Sequence, residues 1–151
     1  MSKTNDTRPD ETTIPIFQDI ARFRSLIFDS LLKPHDMTMS QGWVLVHLLR
    51  ENGLNQAELA SRLEIAPVTT SKLIDRLEAR GYVERRPDPE DRRSNRVYAT
   101  PAAKSMVKIM NQTIRDLDAI AYDGVSEEQR RAAMEVLKVV RKNLRAAAAR
   151  R

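Results

Sequence analysis

Cysteine is absent from the 151 residues, which removes disulfides, thiolate zinc sites, iron–sulfur clusters, thiol catalysis and thiol redox sensing together. Glycine occupies only 4 positions and aromatic residues make up 5%. That scarcity argues against a glycine-rich phosphate loop, a β-propeller or a glycine-punctuated barrel. No run approaches the roughly 20 apolar residues that a membrane helix requires. The first 13 residues are polar and mixed in charge, without the apolar core of a secretory leader. A soluble, cytoplasmic protein with no membrane partner is therefore expected. Enzyme signatures are missing too: there is no GxSxG and no HExxH, and the two histidines, His35 and His47, lack an Asp/Glu cluster. Neither catalysis, nor a cofactor, nor a metal is expected.

What is present is a core and an excess of positive charge. Hydrophobic residues are 41% and charged residues 31%, enough apolar material for one domain of ordinary size. Lys and Arg number 26 against 21 Asp and Glu, which points to an anionic partner. Most of the excess sits at the end of the chain, where residues 130–151 carry +7. A partner gripped by that tail without sequence preference, as in a non-specific nucleic-acid-binding or scaffold protein, is the alternative to a built binding site.

Residues 1–13 lack periodicity and read as a flexible arm. From Pro15 the pattern turns helical: Ile16, Ile20, Phe23, Ile27 and Leu31 recur at steps of three and four, with Phe17 and Phe28 adding apolar surface around the cylinder. A helix this broadly apolar requires burial on more than one side. Lys33-Pro34 ends it. Ser40 is expected to cap a second helix, Gln41 to Glu51, with Gly53 as its stop. Asn55 and Glu58 form a capping box for a third, and Pro67 opens a fourth that Gly81 terminates.

Two β-prone runs follow, Tyr82 to Arg86 and Arg96 to Thr100, separated by PDPEDRRSN. Thr100-Pro101 then opens a long helix with Met106, Met110, Ile114, Leu117 and Ala121 on one stripe. Gly124 ends it. Ser126 and Gln129 cap a last helix carrying Ala133, Leu137, Val140 and Leu144. The fold class is mainly α with a small β-hairpin.

Asn55 to Gly81 carries the chemistry. Two short helices joined by a tight turn, with small Ala60 where they cross, make a helix-turn-helix. Leu73, Ile74 and Leu77 form the inward stripe of the second helix, and Pro67 stands at its start. Val68, Thr69, Ser71, Lys72 and Arg76 lie on the other face, where short hydroxyls suit base edges and the cations suit phosphates. An ordinary amphipathic hairpin would also have a polar outer face. The following hairpin decides between them: Arg92, Arg93 and Arg96 cluster around its loop, as in a wing lying along DNA. Asp91 could orient the Arg93 guanidinium for entry into the minor groove.

The runs Leu77-Glu78-x-Arg80-Gly81-Tyr82-Val83-x-Arg85 and Asp91-x-Arg93 resemble the MarR family of bacterial transcription regulators, over residues 16–145. The chain looks closest to the SlyA branch, through Leu32-Lys33-Pro34, the Trp43-Val44 pair with His47, and Asp91-Arg92-Arg93. Where the family has Leu-Thr and then Gly, this chain has Ala99-Thr100 and Ala103, and a looser strand-to-helix corner is expected. The resemblance implies a winged helix-turn-helix domain over 14–145, with dimerisation helices at 14–34 and 101–145, a DNA-binding lobe at 40–100 and a basic tail at 146–151. It implies a homodimeric repressor on a palindromic operator of double-stranded DNA. It also implies a solvated tail lying away from the DNA. Trp43 and His47 are four apart and share a helix face. They are either a core pair or, as the family suggests, one wall of a crevice for a small aromatic carboxylate or phenol, with Arg22 as counter-charge.

Overall fold

A computed structural model describes residues 15–150. The arm expected over 1–13 lies outside the described residues. Helix α1 (Ile16–Leu32) leads through a single 3-10 turn (Lys33–His35) to α2 (Met39–Arg50), the short strand β1 (Leu54–Asn55), α3 (Gln56–Leu63) and α4 (Pro67–Ala79). Strands β2 (Val83–Pro87) and β3 (Asn95–Ala99) are followed by α5 (Pro101–Ala121) and α6 (Glu127–Ala148). The chain divides into two compact units, one ending at Ile114 and one beginning at Arg115. No helix among the described residues is long and apolar enough to cross a membrane.

In the first unit, Phe28 and Leu32 of α1, Val44, Leu45 and Leu48 of α2, Leu59 of α3, and Leu73, Ile74 and Leu77 of α4 are buried with Val83 and Val97 of the sheet. The inward stripe expected for α4 is the observed one. For α1, expected to need cover on more than one side from its own subunit or a partner, the chain itself covers only one side. Ile16, Ile20 and Phe23 remain 53%, 52% and 50% exposed, and Phe28 and Leu32 enter the core. Periodicity locates an apolar face but not what covers it. In the second unit α6 buries no residue, and Val136, Leu137, Val139 and Leu144 are exposed.

Three local differences have physical causes. Helix α2 is capped by Thr38, not Ser40: the Gln41 N–H donates to Thr38 Oγ1 at 3.3 Å and the Thr38 N–H donates to Gln41 Oε1 at 3.1 Å. Ser40 has Trp43 three residues on, which cannot return the bond. The hairpin is shifted by one residue and gains β1, giving the antiparallel order β1-β3-β2 with Leu54 opposite Val97 and Arg85 opposite Val97 on the other side. Gly53, at φ +80°, supplies the left-handed turn that brings β1 to β3, and its N–H donates to the Val97 carbonyl at 3.1 Å. The strand-to-helix corner is not loose. Thr100 donates its N–H to the Tyr82 carbonyl at 3.0 Å and its hydroxyl to the Gly81 carbonyl at 2.6 Å, and Ala103 is fully buried.

Gly42, in the middle of α2, marks close packing against α5. A Cβ there would overlap the Sδ and Cε atoms of Met110, which is itself fully buried. Gly42→Ala is expected to lower stability by about 1–3 kcal/mol through overpacking, against a helix-propensity gain of about 1 kcal/mol. In urea denaturation, Gly42→Ala combined with Met110→Ala should cost less than the two separate losses added together. Simple additivity would contradict the close approach of these two residues.

Candidate nucleic-acid interface

Helix α3 starts where its sequence says it should. The Glu58 N–H donates to Asn55 Oδ1 and the Asn55 N–H donates to Glu58 Oε2, both at 2.8 Å. It ends at Glu64, which adopts the left-handed conformation (φ 56°, ψ 39°) that glycine usually fills in this turn. Ala66 is then extended and Pro67 takes the first helical position of α4. No side chain caps α4: Pro67 has no N–H and the Thr70 N–H donates to the Ala66 carbonyl at 3.0 Å, which leaves those of Val68 and Thr69 without a side-chain cap. Val68, Thr69, Lys72 and Arg76 are exposed and Ser71 is half-buried. Thr70 is fully buried, and its hydroxyl donates to the Ala66 carbonyl at 3.2 Å. This is one continuous outward face, apolar and hydroxylic at its N-terminal end and cationic along its length.

The wing is more tightly built than its composition suggests. Asp88 accepts from the Glu90 N–H at 2.9 Å and pairs with Arg96 Nε at 3.0 Å, and Arg96 also donates to the Gly53 carbonyl at 3.0 Å. The Glu90 N–H, and then Arg96, hold the Asp88 carboxyl below its ordinary value, while Asp88 in turn raises that of Arg96. Arg96, expected among the DNA contacts, has its guanidinium committed to holding the wing loop onto the β1 turn. Asp91 differs from expectation as well. Its carboxylate accepts the Arg93 backbone N–H at 3.0 Å, so it closes a local turn through the main chain instead of orienting the guanidinium. Arg92 and Arg93 are exposed at the tip.

Sequence reasoning missed Arg85. Its guanidinium pairs with Asp75 at 2.5 Å and with Glu78, both on α4, and its Nε donates to Gln56 Oε1 of α3 at 3.2 Å. Its backbone N–H donates to Glu78 as well, at 3.0 Å. One largely buried side chain thus fixes α4 against β2 and α3. The run Asp75-x-x-Glu78 on one helix face was the available signal, since carboxylates three apart are neighbours. Arg86 extends this surface, lying 4.4 Å over the Tyr98 ring and paired with Glu84.

The expected ligand residues are less convergent. Arg22 pairs with Asp19 at 2.9 Å and lies 4.3 Å from the Phe23 ring centroid. Trp43 is 39% exposed on α2, so it is not a core residue of the described chain. Burial first, then Arg50 and Arg62, lowers the His47 pKa from 6.5, so its imidazole is neutral at pH 7 and unsuited to pairing with a carboxylate. None of the three lines the cavity of about 500 Å³ that is walled by Lys33, Met37 and Gln41 on one side and Arg76, Ala79 and Arg80 on the other. Arg80 anchors that region by donating to the carbonyls of Asp36 and His35. Among the described residues no cluster of His, Asp and Glu could hold a metal.

A three-helix lobe with an outward second helix and an arginine-tipped hairpin defines a winged helix-turn-helix DNA-binding protein. Residues 35–94 match the model of the MarR family. The HTH-type transcriptional regulator TtmR of Methylorubrum extorquens (strain PA1) is 32% identical over 121 residues, which are 80% of this chain and 61% of that protein. The HTH-type transcriptional regulator YybA of Bacillus subtilis (strain 168), whose own role is uncharacterized, is 25% identical over 125 residues, 83% of each chain. A MarR transcriptional regulator from Methanosarcina mazei Go1 superposes with a TM-score of 0.80 at 28% identity, over 89% of this chain and 96% of that one. The transcriptional regulator SlyA gives 0.75 at 26%, over 87% and 94%. A mutant MarR from E. coli, complexed with operator DNA, shares the fold at a TM-score of 0.75 and 23% identity, over 83% and 91%. Over residues 35–94 and in its fold the chain is similar to MarR-family transcriptional regulators, and the relatives it matches are regulators rather than enzymes.

Two outcomes test this geometry. Arg85→Ala should destabilise the fold by about 1–3 kcal/mol in denaturant titration, since it removes the guanidinium from Asp75, Glu78 and Gln56 and leaves Glu78 only the main-chain N–H of residue 85. A negligible loss would mean that Arg85 holds nothing. The His47 ring resonances should titrate below pH 6.5. Between that lowered midpoint and 6.5 the folded chain binds fewer protons than the unfolded one, so stability should fall as pH drops through this window. A midpoint above 6.5 would contradict the assigned environment.

Proposed function

We propose that the chain acts as a homodimeric repressor that sets two α4 helices in successive major grooves of an inverted-repeat operator. The observation that carries this is the pairing of two kinds of surface. A cationic α4-and-wing face is available for DNA, and apolar faces on α1 and α6 have no cover among the described residues. Seven large apolar side chains of α1 are at least 36% exposed, far more than a stable monomer leaves on one helix. A second copy that buries them, and the α6 face, would make an obligate interface well above ~2,000 Å². The lobes would then sit roughly 34 Å apart, one turn of duplex.

In this reading Pro67, Val68, Thr69 and Ser71 meet base edges and sugars, Lys72 and Arg76 meet phosphates, and Arg92 and Arg93 follow the minor groove. Asp91 shapes the tip that presents them, and Arg96 supports the wing from behind. Release comes from a small aromatic acid or phenol wedged beside Trp43 and His47, with Arg22 at its charged end. A tenfold loss of DNA affinity requires about 1.4 kcal/mol of coupling. The neutral His47 supports a phenol hydroxyl as its partner over a carboxylate. The basic tail past Ala146 stays in solvent, and its removal leaves operator binding intact.

Binding to a duplex selected from a random-sequence pool tests the assignment. The wild type should scatter light as a dimer at micromolar concentration. Lys72→Ala should weaken binding and flatten the log–log salt dependence by about one unit of slope, the share of a single neutralised phosphate. A stable monomer, or Lys72→Ala with unchanged affinity and slope, would overturn the docking. Loss of all binding on truncation at Ala146 would favour the non-specific tail.

A further inference from the structure

Val68 is the most exposed large apolar side chain among the described residues, at 67%. The others in that class lie on α1, α2, α5, α6 and the α5–α6 turn; on α3, α4 and the wing, Val68 stands alone. Its own helix does not lack a core, since Leu73, Ile74 and Leu77 fill the inward stripe and Thr70 is buried beside them. Val68 is the second residue of α4, directly after Pro67, with exposed Thr69 following and exposed Lys72 one turn on. A single exposed valine is ordinary on a solvated surface, and what gives this one a meaning is its place at the start of the helix proposed to read DNA. A protein-binding patch would present more than one apolar side chain.

The chemistry of that location narrows what can cover it. The start of α4 offers backbone N–H groups with no side-chain cap, and Lys72 adds charge, so the neighbourhood suits a polyanion. Valine has no donor and no acceptor, and so cannot use the hydrogen-bond pattern of a base edge. In the major groove one base alone displays an apolar group, the C5-methyl of thymine. Valine is also stiff at χ1, so holding it against a methyl costs little rotamer freedom. From this we infer that Val68 selects thymine, through methyl contact, at one fixed position in each half-site of the DNA that α4 reads. The inference rests on α4 being the reading helix. It adds which base is chosen there and by which atoms.

Deoxyuridine differs from thymidine only in lacking that methyl. The experiment therefore uses a duplex selected from a random pool by the wild-type protein, with each thymidine replaced in turn by deoxyuridine, against wild type and Val68→Ala. One thymidine per half-site should be sensitive, its replacement weakening wild-type binding about fourfold, the worth of one buried methyl. Val68→Ala should bind the parent duplex more weakly and lose most of the discrimination, because the shorter alanine methyl keeps less of the contact. Its melting temperature should match the wild type's, because the side chain is exposed. Selection by Val68→Ala should enrich that thymine less. If no thymidine is sensitive, or the same one stays equally sensitive in Val68→Ala, the assignment of Val68 is overturned while α4 remains the reader. If selection enriches no sequence at all, the proposed function itself fails, and this inference with it.

Discussion

A single guanidinium joins three elements of the winged-helix lobe. Arg85, on β2, holds Asp75 and Glu78 of α4 and Gln56 of α3. Without it α4 would keep its apolar stripe, the Arg80 bonds at its C-terminal end and one main-chain bond to Glu78, but no side-chain tie to α3 or to Asp75. Directional bonds to two carboxylates one turn apart set both the rotation and the axial position of the helix. Those two quantities decide which side chains reach a groove. The position of Val68, Thr69 and Lys72 in space is thus a consequence of a residue on the neighbouring strand. The wing follows the same logic, with Arg96 tying Asp88 to the Gly53 carbonyl. Among the arginines of this lobe Arg80, Arg85 and Arg96 hold parts of it together, whereas Arg92 and Arg93 are left exposed at the tip.

The second constraint is apolar. Helix α1 sends Phe28 and Leu32 inward and leaves its broader face in solvent, and α6 has no buried residue. Those surfaces cost free energy until something covers them. Folding and association would then be linked, and the stability of the lobe would depend on protomer concentration. The +7 charge of residues 130–151 lies largely on that same α6. In this account it keeps an otherwise apolar helix soluble on its free side.

Much of the fold was legible in the sequence, because local chemistry specifies it. Asn55 with Glu58, Pro67 at the first turn, the Leu73-Ile74-Leu77 stripe and the Ser126–Gln129 box all depend on residues within four positions of each other, where spacing alone decides who meets whom. Sequence and structure part where two candidates compete or where the partner is remote. Ser40 is a good cap in isolation, and only the reciprocal Gln41 bond makes Thr38 the better one. Arg96 reads as a surface cation until its neighbour at Gly53, forty-three residues earlier in the chain, is known. The α1 stripe was visible, yet hydrophobic periodicity is the same whether the cover is the chain's own core or another copy. For the ligand wall, Trp43 and His47 do share α2, but Arg22 has local partners and the cavity of about 500 Å³ opens elsewhere.

The central claim is that two α4 helices, related by a dyad, read one face of a duplex together. Hydroxyl-radical footprinting of a selected duplex tests it most directly. The account predicts two protected segments of equal strength, centred roughly one helical turn apart (about 10–10.5 base pairs) and symmetric about the middle of an inverted repeat, with further protection of the flanking minor grooves by the wings. A single protected segment, or uniform protection without a centre of symmetry, would contradict it.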